Sequence, residues 1–444
     1  MKVTSEVTQE LAALLTDSVL LTPDSPDYAA SVKRWSQSAE KEAGLVVIPA
    51  TEADISTAVE YAHLSNIDLA VVGGGHATSG SGSTQGGILI DLSRMRKVTV
   101  DDKAKTITAQ GGCLWENVDR AAGEHHLATV GGVINHTGVG GLTLGGGYGW
   151  LSGQYGLVVD NLISARIVIA DGRILTVSKD EHADLFWAIR GAGHNFGVVT
   201  EFTLQAFDQT DQVSAGLVVF PPDKLEQVIE FANGLVADDT DGRAALYVFL
   251  GCPPGQTDPA ITTVVFSTLS EEETQTRFAP LMALEPILNT VTRVPYHEVN
   301  GMLNPIAAHG DRKAMKGFSY TLPLQPGSAR TLLEELTLII KNDPDLIRSF
   351  VVFEGINVSR IAAVPREATA FANRGHARNG GIWMWWTDPE RDVAALLIRI
   401  CIAGDRSPRE LFGENLLRLQ KLKAEYDPDN VFNKTHPLHV GVND

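Results

Sequence analysis

Only three cysteines, Cys113, Cys252 and Cys401, stand in these 444 residues, far apart and odd in number. That excludes a disulfide framework and a paired-cysteine metal knuckle, and it fits a reducing compartment. Positive charge is also short: 36 Lys and Arg face 54 Asp and Glu, a formal charge of −18. A nucleic acid or an anionic membrane would be repelled, and no basic patch offsets this. No apolar run reaches the roughly 18 residues of a membrane span. The opening MKVTSEVTQELAALL lacks a basic stretch leading into an apolar core and a cleavage site, so the expected address is intracellular, in the cytoplasm. Familiar nucleotide and metal signatures are missing as well. No window satisfies G-x-G-x-x-G, no Gly-Lys pair exists for a Walker loop, and HEVNG at 297 lacks the second histidine of a zincin. His125 and His126 are adjacent and read as a surface pair at a helix end, so no metal is expected.

What is present reads as a globular chain of mixed α and β structure, 44% hydrophobic and 20% charged, long enough for two domains. Thr51, with Asp54 three residues on and Ile55, Val59 and Ala62 on one face, predicts a capped amphipathic helix. IDLAVV and GGILIDL read as strands on either side of a glycine loop. KVTV with TITAQ predicts a hairpin, and ARIVIA with RILTVS predicts a two-residue one around Asp171-Gly172. These antiparallel signals argue against a purely doubly wound sheet. After Phe207 glycine thins, and strands such as AALYVFL, TTVVFS and IWMWW alternate with acidic helices. The tail ELFGENLLRLQKLKAEY reads as one helix ended by Tyr426-Asp427-Pro428. The expected domains are 1–207, 208–409, and a returning segment 410–444.

Glycine is dense in three separated stretches, 73 to 82, 138 to 149 and 191 to 197. Such density costs backbone entropy, so something demands it. Tight turns in a compact α+β domain would do so; so would an elongated dinucleotide such as FAD, which needs close backbone approach at several points.

Four ordered blocks resemble flavoproteins of the vanillyl-alcohol oxidase/p-cresol methylhydroxylase type, in the branch of berberine-bridge-enzyme-like and 6-hydroxy-D-nicotine-oxidase-like proteins. They are VVGGGHATSGSGSTQGGILIDLSRM, TGVGGLTLGGGYGWLSGQYGLVVDNL, DLFWAIRGAGHNFGVVTEF and YDPDNVFNKTHPL. The resemblance covers essentially the whole chain. It implies an α+β fold: a two-subdomain FAD-binding domain of the p-cresol methylhydroxylase type, plus an antiparallel-sheet substrate domain covered by helices. It implies an FAD-dependent oxidase that moves hydride to flavin N5 from a C–H beside a hydroxyl or amine, with dioxygen as acceptor and hydrogen peroxide as product. A flavin-scaffolded non-redox cyclase of specialised metabolism is the alternative. The partners implied are a small-molecule substrate and dioxygen; oligomeric state stays open.

In this family the histidine of the GGGH loop is bonded to the flavin 8α-methyl carbon, and His76 matches it. Ile134 falls where relatives carry a second-link cysteine, which implies one covalent bond. Thr137 matches a residue thought to control oxygen access. The resemblance places Gly73, Gly74, Gly75, Ala77, Gly80 and Ser81 beside FAD, with Gly138, Gly140, Gly141, Gly145, Gly146 and Gly149. Asn161, Gly193, Asn195, Gly197 and Val199 complete that set, and Asn415 and His436 close over the ring system. Tyr148, in GGGYG, matches an active-site tyrosine that could accept a substrate proton if its pKa is lowered; a buried aromatic over the glycine segment is the other reading. Tyr320 and Glu354 lie on plausible substrate-domain strands and are equally readable as core or surface residues. The connection 388–410 is some tens of residues shorter than in relatives and lacks their second tyrosine, and Leu416 replaces a common aromatic.

Overall fold

The computed structural model describes residues 3–392 and 407–438. Most of the short 388–410 connection, with Cys401, lies outside the described residues.

The first sheet joins β1 (Ser18–Leu21), β2 (Leu45–Pro49), β3 (Leu69–Val72) and β4 (Ile88–Asp91) in the order β1-β2-β4-β3. β2 and β3 both run parallel to β4, and β1 is an antiparallel edge. Their short apolar runs suit strands covered on both faces. The helix Glu52–Leu64 packs Ile55, Ala58, Val59 and Ala62 against them. Thr51 caps that helix by accepting from the Asp54 amide at 3.2 Å. The Asp54 carboxylate does not return to Thr51. It turns to the N-terminal segment, accepting from both amide and hydroxyl of Thr16 (2.9 and 3.0 Å), from the Asp17 amide (2.9 Å) and from the Ser18 hydroxyl (2.9 Å).

The second sheet is antiparallel: β5 (Val98–Asp101), β6 (Thr106–Gln110), β8 (Leu162–Val168), β9 (Ile174–Ser178) and β10 (Val198–Gln205), ordered β5-β6-β10-β8-β9. The β8–β9 turn corrects the two-residue expectation. Ile169 still donates to the Arg173 carbonyl at 3.0 Å, so the loop is Ala170–Gly172, with Gly172 at φ +83°. A small pair, β7 (Leu127–Ala128) with β11 (Phe207–Asp208), closes this part of the chain.

The third sheet begins at β12 (Val213–Phe220) and adds β13 (Ala244–Gly251), β14 (Ala260–Ser267), β15 (Leu288–Asn289), β16 (Thr292–Val294), β17 (Arg312–Tyr320), β18 (Phe350–Gly355) and β19 (Arg378–Trp386). Its order is β15-β12-β14-β13-β18-β19-β17, with β16 also on β12, and every pairing is antiparallel. The helices Leu225–Asp238, Glu271–Met282 and Pro326–Asn342 cover one face through Val228, Ile229, Phe278 and Leu333. The opposite face, with Tyr247, Val264 and Phe266, packs on Trp150 and the core of the second sheet. Alternation along these strands therefore sends one set of side chains to the helices and the other toward the glycine-rich segments.

The expected tail helix is interrupted. A short helix, Pro408–Phe412, stops at Gly413 (φ +51°), and the main one runs Leu416–Tyr426. Beyond it the chain returns to the first sheet, where Phe432 joins Ile90 and Val198 in one core.

Candidate active site

All three glycine-rich stretches meet at one cavity of about 390 Å³, within the range of small-molecule sites. The loop after β3 contributes Gly73, Gly74, Gly75, His76, Ala77 and Ser81. The segment entering the helix Val139–Leu144 contributes Thr137, Gly138, Gly140 and Gly141, and the entry to β10 contributes Gly197 and Val199. The returning tail adds Phe432, Lys434 and Thr435.

The glycines differ in what requires them. A Cβ at Gly74 would overlap the backbone nitrogen of Gly138, and one at Gly138 would overlap that of Gly74, so these two hold the loops together. Gly75 takes φ +71°. At Gly141 an added Cβ would meet nothing within 4 Å, which makes it an open wall of the cavity. Gly80 lies against the Lys41 side chain. Gly145, Gly146, Gly149 and Gly193 are not part of the cavity lining and pack on protein neighbours: the Gly141 carbonyl, Phe371, the Gly131 carbonyl and Leu144 respectively.

His76 sits in a shell drawn from distant parts of the chain. Its ring stacks on buried Trp35 (centroids 5.0 Å, 12°), its Nε2 lies 2.7 Å from His136 Nδ1, and His309 stands edge-on at 5.5 Å. Burial first, then repulsion from His136, His309 and Lys313, pushes its pKa down to about 2, so the imidazole is neutral. Lys313 is itself buried. Its ammonium donates to the carbonyls of Trp35 (2.7 Å) and Gly310 and lies over the rings of Trp35 and Trp385. Desolvation lowers it to about 8.

A second group forms where the third sheet meets the glycine segment. Asn379, on β19, faces both Tyr148 and Glu354, and its side chain favours the ionised form of each. Burial raises Glu354 to about 7 and Tyr148 to about 12. Tyr320 is placed elsewhere: it packs on Phe353 on the helix-covered face, and its hydroxyl donates to the Glu354 carbonyl at 3.2 Å.

The remaining residues singled out in the sequence serve mainly internal contacts. The Asn161 amide donates to the carbonyls of Tyr155 and Leu157, and that of Asn415 to Arg366 and Thr369. Asn195 donates weakly to Ala192, and its buried Oδ1 has no partner among the described residues. His436 stands edge-on to Phe412, Ile134 packs on the core, and buried Cys113 is held near 11, an inert thiol. Sequence reasoning missed His136, His309, Asn379, Lys313 and Trp35. His136 had a visible signal, a histidine inside the glycine-rich INHTGVGG; the others come from strand register and loop closure.

The cavity suits an elongated polar cofactor. It has a side-chain-free wall at Gly141, and the buried Thr435 Oγ1 in its lining has no partner among the described residues. His194, also in the lining, donates to the Gly141 carbonyl at 3.1 Å.

Comparison with known proteins matches residues 43–178 to an FAD binding domain and residues 401–438 to a berberine and berberine-like domain. The FAD-linked oxidoreductase pgmH of Aspergillus terreus is 34% identical, over 97% of this chain and 95% of its own. That alignment spans 485 positions, more than the 444 residues here, so the relative carries segments this chain lacks. The FAD-linked oxidoreductase hasG of Aspergillus fumigatus is 30% identical over 94% of this chain and 96% of its own. Among solved structures, 6-hydroxy-D-nicotine oxidase of Arthrobacter nicotinovorans superposes with a TM-score of 0.82 at 23% identity, over 96% of this chain and 99% of its own. BBE-like 1 of Physcomitrella patens gives 0.84 at 19%, over 98% and 100%. At those identities the likeness is one of fold. No helix among the described residues is long and apolar enough to cross a membrane.

Proposed function

Because the chain belongs to the FAD-linked oxidoreductases with a berberine-like C-terminal domain, and is an FAD-dependent oxidoreductase, we propose that it works as an oxidase on a small organic substrate. Bound FAD would supply the electron sink, taking hydride at N5 from a carbon bearing a hydroxyl or amine and delivering the electrons to dioxygen as hydrogen peroxide. The observation that carries this reading is the convergence of three glycine-rich segments on one cavity with His76 in its wall.

The chain's own part is binding, placement and proton handling. Gly73 to Gly75, with Gly138, Gly140 and Gly141, present bare backbone to the cofactor. His76, neutral and half-buried, would hold the cofactor through a single bond to its 8α carbon, since Ile134 offers no thiol for a second. Thr137, in the cavity wall, is small enough to leave dioxygen a path. Glu354 takes the substrate proton: its pKa of about 7 lets it exist as a base at neutral pH and hold the proton afterwards. Tyr148, kept protonated by burial, donates a hydrogen bond that orients the substrate's oxygen or nitrogen, and Asn379 holds both side chains in register.

Anaerobic mixing with panels of sugars, alkaloids, aromatic alcohols and polyketides tests this. A true substrate bleaches the flavin, and admitted air restores the colour with one equivalent of peroxide. Conversion of a substrate with no bleaching contradicts redox use of the cofactor.

A further inference from the structure

Opposite residues of antiparallel neighbours share a face, so the register of the third sheet reads as rows across β17, β19 and β18. Met315, Trp383 and Phe350 form one row, and Gly317, Gly381 and Val352 form the next. Ser319 and Asn379 open the third, with Glu354 two residues beyond Val352 on the same face. The middle row therefore carries no side chain on two of its three strands. Nothing in the backbone demands this: pairing through Gly317 and Gly381 is one to one, without a bulge, and neither takes a positive φ. Packing does not demand it at Gly317 either. An added Cβ there would have only the Gly380 carbonyl near it, at 3.9 Å, and the residue is exposed; at Gly381 it would come within 3.2 Å of the Trp383 indole. Gly380, on the other face, is the contrast, since a Cβ there would overlap the Phe318 ring. Glycine inside a strand weakens it, and where neither a bulge nor packing accounts for it, the close approach of a ligand does.

The walls of this bare strip differ. On one side Trp383 and Phe350, both half-buried, stack at 5.1 Å and 25°, and Phe249 follows Phe350 at 5.4 Å. On the other stand Asn379 and Glu354, with Tyr148 facing Asn379. Trp383 and Asn379 are four residues apart along one strand, about 13 Å, which leaves room for one ring or two fused rings. Trp35, stacked on His76, meets Trp383 edge-on at 5.5 Å, so the strip lies between the proposed cofactor anchor and the proposed base. We propose that the strip at Gly317 and Gly381 selects the substrate: a flat aromatic ring lies on the bare backbone with its edge to Trp383, and the carbon bearing the hydroxyl or amine reaches Glu354. The inference rests on the oxidase reading above and names the substrate class for it. A sugar is refused. Apart from the Trp383 indole N–H, the described side chains on the aromatic side are apolar, so sugar hydroxyls there would give up water without gaining a partner. A saturated ring is thicker than an aromatic one and forfeits the stacked and edge-on contacts that aromatic pairs make.

The test uses flavin-loaded, full-length protein mixed anaerobically with benzyl alcohol, benzylamine and a naphthalenemethanol, with cyclohexanemethanol as the saturated counterpart, and with glucose and cellobiose; steady-state constants follow in air. The aromatic set should bleach the flavin, cyclohexanemethanol should fall at least about tenfold below it in kcat/KM, and the sugars should leave the colour unchanged. Gly317→Val should raise KM for the naphthalenemethanol at least about tenfold, with Gly317→Ala in between. Flavin content should hold in both variants, and the thermal midpoint of G317V should stay at or above that of wild type, because a β-branched residue suits an open strand position. Bleaching by a sugar or by cyclohexanemethanol as readily as by the aromatic set overturns this inference alone. So does a G317V that keeps the wild-type KM, or one that melts well below wild type, which would mark the position as packed. Conversion of an aromatic compound without bleaching overturns the oxidase reading and this inference together, as does a wild type that dithionite bleaches and no compound of any class does.

Discussion

A phenol accepts a proton only if its pKa falls toward the working pH, and burial moves Tyr148 the other way, to about 12. Glu354, which desolvation brings to about 7, is therefore the base we propose. Glu354→Gln should lower kcat by about 100-fold with the flavin still bound, and the wild-type kcat should rise through a limb near pH 7 that E354Q lacks. Stability gives a second readout. Because the folded pKa is raised, the contribution is complete below the unfolded value near 4.5 and is lost as pH rises through about 7. At pH 8, E354Q should therefore melt a few degrees above wild type, and at pH 4 the two should coincide. Tyr148→Phe keeps the ring on Phe371 and removes only the hydroxyl, so it should raise KM more than it lowers kcat.

At the scale of elements, the glycine loops carry two demands that one sequence pattern cannot separate. Gly74 and Gly138 meet backbone to backbone, whereas Gly141 faces open cavity. Gly74→Ala should push the loops apart, costing about 1–3 kcal/mol of stability along with FAD incorporation. Gly141→Val should lower the fraction of chains that carry FAD, with a much smaller effect on the melting midpoint. Measuring both quantities in both variants separates the roles, and equal loss of stability would contradict the assignment. The pattern did announce the strands flanking the loop, the Thr51 cap and the hairpins, because those follow local periodicity and turn chemistry. It could not announce that the Asp54 carboxylate leaves its helix for Thr16, Asp17 and Ser18, or that Asn379 bridges Tyr148 and Glu354. Both depend on register and docking between segments remote in the chain. Tyr320 shows the same limit: a one-residue choice of strand phase put it on the helix-covered face.

For the whole molecule, the tail is the joint between the C-terminal helix and the cofactor domain. Lys423 is buried, and its ammonium donates to the Asn195 carbonyl at 2.8 Å, the Phe432 carbonyl at 2.7 Å and Asp427 at 2.6 Å. Asp427 also accepts from the amides of Val431 and Phe432. Lys423→Met leaves that carboxylate buried and unpaired, and should cost about 3–5 kcal/mol. Since Phe432, Lys434 and Thr435 line the cavity, the flavin should also become solvent-exposed, read by its fluorescence, before global unfolding in this variant. The resemblance visible in the sequence was carried by blocks spread from the glycine loop to this tail, and the structure explains their spread: they meet at one cavity. The central claim is that the cavity holds FAD bonded to His76. Intact mass of acid-denatured protein, produced with ample riboflavin, tests it most directly. Wild type should carry the added mass of one FAD and His76→Ala should carry none; wild type at the mass of the bare polypeptide would contradict it.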